Sequence, residues 1–168
     1  KVRACPWEQT AKLCFSRNDF FMDKSGHFKH VEHNLMAVGY GPLSDRARAG
    51  LAELDLKFGA NPLTAASSLP SSEESQALGI EAAWRYYGNP RAVVVVASAV
   101  WYDDVDMFAS AKILAQKGVR VLRYSLEELD DLMEFDPDTG IITILGHEVA
   151  VFFIRTGLSP AYFNEKTW

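Results

Sequence analysis

The stretch Ala92-Val-Val-Val-Val-Ala97 is an uninterrupted run of small and β-branched apolar residues. Such a run is typical of a strand that is covered on both faces, usually within a parallel sheet. Residues 119–124 predict a second strand, and the apolar spacing between Asp103 or Asp104 and Gly118 predicts a helix that connects the two. Strand, helix and strand form a right-handed βαβ unit. We therefore predict an α/β fold in which a parallel, Rossmann-like sheet is flanked by helices.

Three further helices are predicted where an N-cap residue precedes apolar residues at helical spacing. Their predicted N-caps are Ser44, Ser71 and Ser125. The second and third helices also carry a glutamate three residues after the serine, which is the pattern of a capping box. The first is expected to end before Gly59, the second at Gly88 and the third at Met133.

Two antiparallel hairpins are predicted from alternating segments that flank a turn. The N-terminal hairpin comprises residues 10–16 and 27–34, and the C-terminal hairpin comprises residues 141–145 and 148–154. Because side chains alternate across a strand, His30, Glu32 and Asn34 are expected on one face of the N-terminal hairpin.

The composition of residues 61–72, which are rich in Ser, Ala, Thr and Pro, predicts a linker. It would separate residues 1–60, with the first hairpin and helix, from an α/β domain at residues 73–168. The chain begins with Lys1 rather than Met, so we expect a mature or excised piece of a longer protein.

The charge balance gives no support for binding to nucleic acid or to an anionic membrane. The chain has 17 basic and 22 acidic residues, a formal net charge of -5 and a pI of about 5.4. Its longest apolar stretch, residues 92–102, is about half of the roughly 20 residues that a membrane-spanning helix needs. Two cysteines favour a reduced, intracellular setting over a disulfide scaffold.

Two sets of residues are candidates for chemistry. Arg155 directly follows the apolar run Val151-Phe-Phe-Ile154, at the end of a strand where α/β sheets bind ligands, and its guanidinium suits a carboxylate or a phosphate. The alternative is a solvated or ion-paired arginine. Glu32 and Asn34 supply two oxygen ligands at positions i and i+2, as Mg²⁺ prefers. The alternative for this pair is an exposed polar strand face.

Four segments occur in the order and with the spacing of four motifs from one known family. They are Cys14-Phe-Ser-Arg-Asn-Asp-Phe20, Val31-Glu-His-Asn34 with Leu35-Met-Ala-Val-Gly-Tyr-Gly-Pro42, Leu78-Gly-Ile-Glu-Ala-Ala-Trp-Arg-Tyr-Tyr-Gly88, and Glu148-Val-Ala-Val-Phe-Phe-Ile-Arg155. They resemble the L-N-R-S-D-Y, I-E-I-N with T-I-S-A-S-F-G-G, L-G-I-A-K-A-W-E-L-Y-G and E-I-A-V-V-Y-F-R segments of the eukaryotic-type glutathione synthetases. The resemblance covers nearly the whole chain.

This family joins γ-glutamylcysteine to glycine at the cost of ATP, through an acyl phosphate. The resemblance therefore implies the substrate-binding part of an ATP-dependent carbon–nitrogen ligase, with Mg²⁺ as cofactor and ATP as co-substrate. It also implies that the N-terminal hairpin belongs to an ATP-grasp-type core, that the protein is cytoplasmic, and that it forms a homodimer. The 168 residues alone are expected to be inactive, with the ATP-binding part beyond Trp168.

The resemblance also implies roles for individual residues. Arg17 and Arg155 would hold carboxylates of the dipeptide, with Asp19 supporting that site. Glu32 and Asn34 would bind Mg²⁺, and Glu32 would thereby face the ATP phosphates. Phe21 stands where the family has a methionine that contacts the nucleotide.

Several substrate-binding positions depart from the family pattern. The two serines that bind the dipeptide are Ala37 and Gly39 here, and the tyrosine of R-D-G-Y is Leu158. The family segment E-R-N-x-x-D-Q is replaced by the more apolar residues 100–106. These departures support an alternative: a glutathione synthetase-like binding or effector domain with altered or lost catalysis, secreted if a leader preceded Lys1.

Overall fold

The computed structural model describes residues 11–35, 39–58, 70–98, 105–157 and 159–165. Within these ranges the strands are β1 Arg17–Met22, β2 Phe28–Asn34, β3 Val93–Ala97, β4 Val121–Tyr124, β5 Met133–Phe135, β6 Ile142–Ile144 and β7 His147–Ile154. The helices are α1 Gly41–Phe58, α2 Ser72–Tyr87, α3 Val105–Gln116 and α4 Leu126–Leu132, followed by a short 3-10 helix, Pro160–Tyr162.

The described strands form a two-stranded hairpin and a five-stranded mixed sheet. The larger sheet has the order β4-β3-β7-β6-β5, with β3 parallel to both β4 and β7, and with β6 antiparallel to β7 and β5. The predicted α/β class, the βαβ unit and the hairpin of β6 and β7 are therefore confirmed. Strand β5 was not expected, because it has three residues and follows α4 directly. The predicted cap of α3 lies outside the described residues.

Strand β3 is buried on both of its faces. Its odd-numbered residues pack with Leu129 of α4, while Val94 packs with Ile80 of α2 and Leu114 of α3. All five of its residues are buried. This double coverage is the reason that residues 92–97 contain no polar side chain, as the sequence predicted.

Side-chain caps fix the starts of α2 and α4. The Ser71 hydroxyl accepts a hydrogen bond from the backbone N–H of Glu74, and it donates to Asp45 of α1 at 2.9 Å. Asp45 also accepts from the N–H of Glu73 at 2.9 Å, so α1 contributes a second cap to α2. Ser125 starts α4 with a complete capping box, as predicted.

The predicted first strand at residues 10–16 is wrong over the described part. Residues 11–16 form no strand, and β1 begins only at Arg17. The Phe15 ring packs edge-on against Phe153 of β7, and a Cβ added at Gly79 of α2 would lie 3.2 Å from it. The apolar alternation of this segment therefore reflects packing on α2 and β7 rather than strand pairing.

Helix α1 begins at Gly41, three residues before the predicted N-cap. The N–H of Ser44 bonds to the carbonyl of Tyr40 at 2.8 Å, so Ser44 lies inside the first turn. A Cβ at Gly41 would lie 3.2 Å from the Cβ of Ser72, which makes glycine the residue that fits where α1 meets α2. Helix α1 extends to Phe58, where the described range ends, so its predicted end before Gly59 stays a prediction.

The helices of the described ranges include none with the length and apolar content needed to cross a bilayer. Helix α1 packs against α2 and α3 across the predicted linker. Most of residues 61–72 lie outside the described ranges, and the division into residues 1–60 and 73–168 remains a prediction.

Replacing Ile80 with alanine should destabilise the protein far more than the matched change at Leu78 on the same helix. Ile80 of α2 lies in the hydrophobic core and is 1% exposed, whereas Leu78 is 44% exposed. We expect Ile80→Ala to lower the free energy of unfolding by about 2–5 kcal/mol, and Leu78→Ala by roughly 0.5 kcal/mol or less. Urea titration followed by circular dichroism measures both. Equal losses would contradict the assigned packing of α2 on β3.

Candidate functional site

The register of the N-terminal hairpin brings four predicted site residues together. Arg17 pairs with Asn34 and Asp19 pairs with Glu32, so all four side chains share one face. A register shift between Asp19 and Phe20 then ends the regular pairing. We call Arg17, Asp19, Glu32 and Asn34 the hairpin cluster.

Arg17 and Asp19 form the strongest contact of the hairpin cluster. The guanidinium donates from Nε to Oδ1 of Asp19 at 2.8 Å and from Nη2 to Oδ2 at 2.9 Å, which is a bidentate ion pair. These hydrogen bonds from Arg17 hold the pKa of the Asp19 carboxyl below its usual value. The same contact raises the pKa of Arg17. At neutral pH this pair is therefore fully ionised.

Asn34 connects the two carboxylates of the cluster. Its Nδ2 donates to Oε1 of Glu32 at 3.0 Å and to Oδ2 of Asp19 at 3.3 Å. Nη2 of Arg17 lies 3.8 Å from the same Glu32 oxygen. The predicted faces are therefore confirmed: Glu32 and Asn34 point to one side of β2 and meet there.

The donor set of the cluster fits Mg²⁺ in chemical type. Glu32 offers a carboxylate and Asn34 an amide oxygen, both hard ligands, and Mg²⁺ usually takes its other ligands from water and phosphate. In the structure the NH₂ group of the Asn34 amide faces Glu32. Binding of Mg²⁺ between the two side chains therefore requires the amide to flip, so that its oxygen faces the ion. Among the described residues, no group of three or more His, Cys, Asp or Glu side chains is arranged to hold a metal ion.

Tyr40 is a further member of this site that the sequence reasoning missed. Its ring centroid lies 5.3 Å from Cζ of Arg17, within the range of a cation–π contact. Tyr40 has a φ of 71°, a left-handed conformation that is uncommon for tyrosine. Its place between Gly39 and Gly41 was the available signal. Gly39 directly precedes Tyr40, while Ala37 lies outside the described residues.

Arg155 lies at the carboxyl end of β7, as predicted. Its N–H donates to the carbonyl of Ala97 at 2.7 Å, which extends the β3–β7 pairing by one residue. Its guanidinium carbon lies 5.7 Å from the ring of Phe153. Phe153 contacts Phe15. Arg155 lies two residues after the first of these rings, and Arg17 lies two residues after the second. Leu158 lies outside the described residues.

Phe21 lies away from the cluster. It pairs with Lys29, whereas the register shift pairs Phe20 with His30 on the face that carries Glu32. Phe21 therefore points to the opposite face, where it is 71% exposed. The structure thus brings Arg17, Asp19, Glu32 and Asn34 together, and it does not bring Phe21 to them.

These elements define a class: an α/β protein with a mixed sheet, an antiparallel hairpin with a charged polar cluster, and an arginine at the carboxyl end of a parallel strand. The chain is 28% identical over 169 residues to human glutathione synthetase and 26% identical over 165 residues to the bovine protein, covering 95% of this chain and 35% of each relative. The chloroplastic glutathione synthetase of tomato is 26% identical over 167 residues, covering 94% and 30%.

These similarities confirm the resemblance to the glutathione synthetases. The chain spans about a third of the length of these curated relatives. No protein-family model matches it. A solved glutathione synthetase-like effector from Globodera pallida, in its apo form, superposes with a TM-score of 0.70 at 19% identity, covering 86% of this chain and 37% of that one, which shows a shared fold.

Replacing Arg17 with methionine should raise the pKa of Asp19 towards its ordinary value. The hydrogen bonds from Arg17 are the largest cause of the lowered pKa. Because that pKa is depressed in the folded state, the contact stabilises the fold above the pKa of the unfolded chain, and this stabilisation is lost as the pH falls through the folded-state pKa. Carboxyl ¹³C NMR titration measures the shift.

The matched control is Arg48→Met, which removes an arginine that pairs with Asp45 on α1 at 3.0 Å. This variant should leave the pKa of Asp19 unchanged. A pKa of Asp19 that stays low in Arg17→Met would mean that Arg17 is not its partner in solution.

Proposed function

We propose that this chain is the substrate-binding part of a glutathione synthetase-like, ATP-dependent ligase. The reaction joins γ-glutamylcysteine, or a related γ-glutamyl peptide, to glycine or another amine through an acyl phosphate. The observation that carries the proposal is the similarity to glutathione synthetases along 95% of the chain. In this proposal the longer protein is cytoplasmic and homodimeric, and its hairpin belongs to an ATP-grasp core.

Arg17 and Arg155 are the proposed carboxylate-binding residues. The peptide carries two carboxylates, and each guanidinium can bind one by donating charge-assisted hydrogen bonds to its oxygens. The Nε–Nη2 edge of the Arg17 guanidinium already faces Asp19, so a substrate carboxylate must either approach Nη1 or compete with Asp19. Asp19 thus orients the arginine before substrate arrives, and Tyr40 covers its face. The positions of Gly39, Ala37 and Leu158 would line the same peptide site.

Glu32 and Asn34 are the proposed ligands of Mg²⁺, with Phe21 as the proposed nucleotide contact. Magnesium would neutralise charge on the phosphates of ATP as the phosphoryl group is transferred. Glu32 would hold the ion through its carboxylate, and Asn34 would contribute its amide oxygen after releasing Glu32. The neighbouring Arg17 lies 3.8 Å from Glu32 and limits the negative charge of the site.

The ligase activity is proposed for the longer protein and not for these 168 residues by themselves. The human enzyme is matched over 35% of its length. A loop that holds ATP and the remaining metal ligands would come from other parts of the protein.

A second candidate function is binding without catalysis, as a divergent effector-like domain. The specific observations are the replacement of two serines and a tyrosine by Ala37, Gly39 and Leu158, and the shared fold with a glutathione synthetase-like effector. A site that has lost several hydrogen-bonding partners discriminates poorly among ligands that need them. In this case the pocket would accept another peptide or thiol.

Calorimetry of the full-length protein with γ-glutamylcysteine, in the presence and absence of Mg·ATP, tests the peptide site. Arg155→Met should weaken dipeptide binding by about tenfold to a hundredfold, because a charge-assisted bidentate contact is lost. Arg91→Met, at an exposed position away from the site, is the control and should bind normally. Unchanged affinity in Arg155→Met would exclude Arg155 as a carboxylate ligand.

Addition of glycine separates the two candidate functions. Release of ADP in proportion to peptide consumed supports the ligase, and tight dipeptide binding without ADP release supports the binding domain.

For the ligase, Glu32→Gln should raise the Mg²⁺ concentration needed for half-maximal ADP release by about tenfold, since a carboxylate ligand becomes a neutral amide. Glu134→Gln, on an exposed strand, is the matched control. An unchanged Mg²⁺ requirement in Glu32→Gln would remove Glu32 from the metal site.

A further inference from the structure

A cleft of about 520 Å³ lies between helix α3 and strand β4, which forms one edge of the five-stranded sheet among the described residues. Its walls consist mainly of aliphatic side chains and the ring of Phe108. Sites for small molecules usually have volumes of roughly 300–1,000 Å³ and apolar walls. None of the hairpin cluster residues lines this cleft, and neither does Arg155, so it is separate from the proposed peptide site.

Arg123 gives the cleft a cation with a fixed orientation. Its Nε donates to the hydroxyl of Ser98 at 2.6 Å, and its Cζ lies 4.8 Å from the ring centroid of Phe108. Ser98 is 2% exposed, so this partner is itself held by the core. A guanidinium that is already oriented loses less conformational freedom when it binds an anion.

The position of Arg123 on the sheet also favours a ligand. Ser98 follows β3 directly, and Arg123 is the penultimate residue of β4. These two strands are parallel, so the Arg123–Ser98 contact lies at their carboxyl ends. This is the edge at which open α/β sheets bind ligands.

The charges of the described lining residues favour an anionic occupant. The described residues that line it include two cations, Arg120 and Arg123, and no carboxylate. The chain as a whole has a formal net charge of -5, so this surface differs in sign from the rest of the molecule. Apolar walls combined with a fixed arginine fit a molecule that has one anionic group and an apolar body.

We propose that the cleft between α3 and β4 binds a small amphiphilic anion. Its carboxylate or phosphate would bind Arg123, and its apolar body would lie against Phe108, Ala111 and Val121. The proposal goes beyond the ligase function and does not depend on it, because it uses other residues on another part of the sheet.

Three probes test the chemistry of the site: 2-naphthoate, 1-naphthyl phosphate and the neutral 2-naphthamide. Calorimetry should give saturable binding of one or both anions, and the comparison of the two distinguishes a carboxylate from a phosphate site. The amide should bind at least about tenfold more weakly, because it lacks the charge-assisted bond to Arg123. The ¹H–¹⁵N NMR shifts of the bound protein should concentrate on α3 and β4. Equal binding of anion and amide, or shifts centred on Arg155, would overturn the proposal.

Two variants locate the ligand. Arg123→Met should weaken binding of the anionic probes by about tenfold or more and leave binding of the amide unchanged. Ala111→Phe fills the cleft and should abolish binding of all three probes. This variant tests the site even if Arg123→Met fails to fold. Gln116→Phe, an exposed position on the same helix that does not line the cleft, is the control and should bind normally. Unchanged binding in Ala111→Phe would refute the site.

Sedimentation analysis adds a last outcome: a dimer that Ala111→Phe dissociates would make this face an interface between two copies and would also refute the proposal.

Discussion

The burial of β3 on both faces is the constraint on which the rest of the structure depends. Its alternating residues pack with α4 on one side and with α2 and α3 on the other, and both neighbouring strands are parallel to it. Burying several β-branched side chains in this way supplies much of the hydrophobic stabilisation of the sheet. It also places the ends of three parallel strands side by side. Ser98, Arg123 and Arg155 all owe their positions to this arrangement.

Local patterns predicted the elements that local interactions decide. The uninterrupted β3, the N-cap at Ser71, the capping box at Ser125, and the turn between β6 and β7 all have strong signals within a few residues. The face shared by Glu32 and Asn34 also followed, because strand periodicity fixes it once the strand is identified. The similarity to glutathione synthetases then supplied roles that periodicity could not.

Contacts between distant parts of the chain account for what the sequence did not predict. The segment before β1 looked like a strand, but Phe15 packs against Phe153, which is far away in sequence. Helix α1 begins at Gly41, where it meets α2, and Tyr40 directly before it contacts Arg17 of the hairpin. Arg123 gave no signal of its own, since its partner Ser98 follows the neighbouring strand β3. No local pattern contains such information.

The bidentate pair of Arg17 and Asp19 has a consequence for the way anions approach the protein. At separations beyond about 8–10 Å in physiological salt, an ion pair acts as a nearly neutral object, and Glu32 leaves the hairpin cluster with a formal net negative charge. An anionic ligand is therefore not attracted to the hairpin from a distance. Arg17 therefore contributes to binding at short range, once a ligand has reached the hairpin.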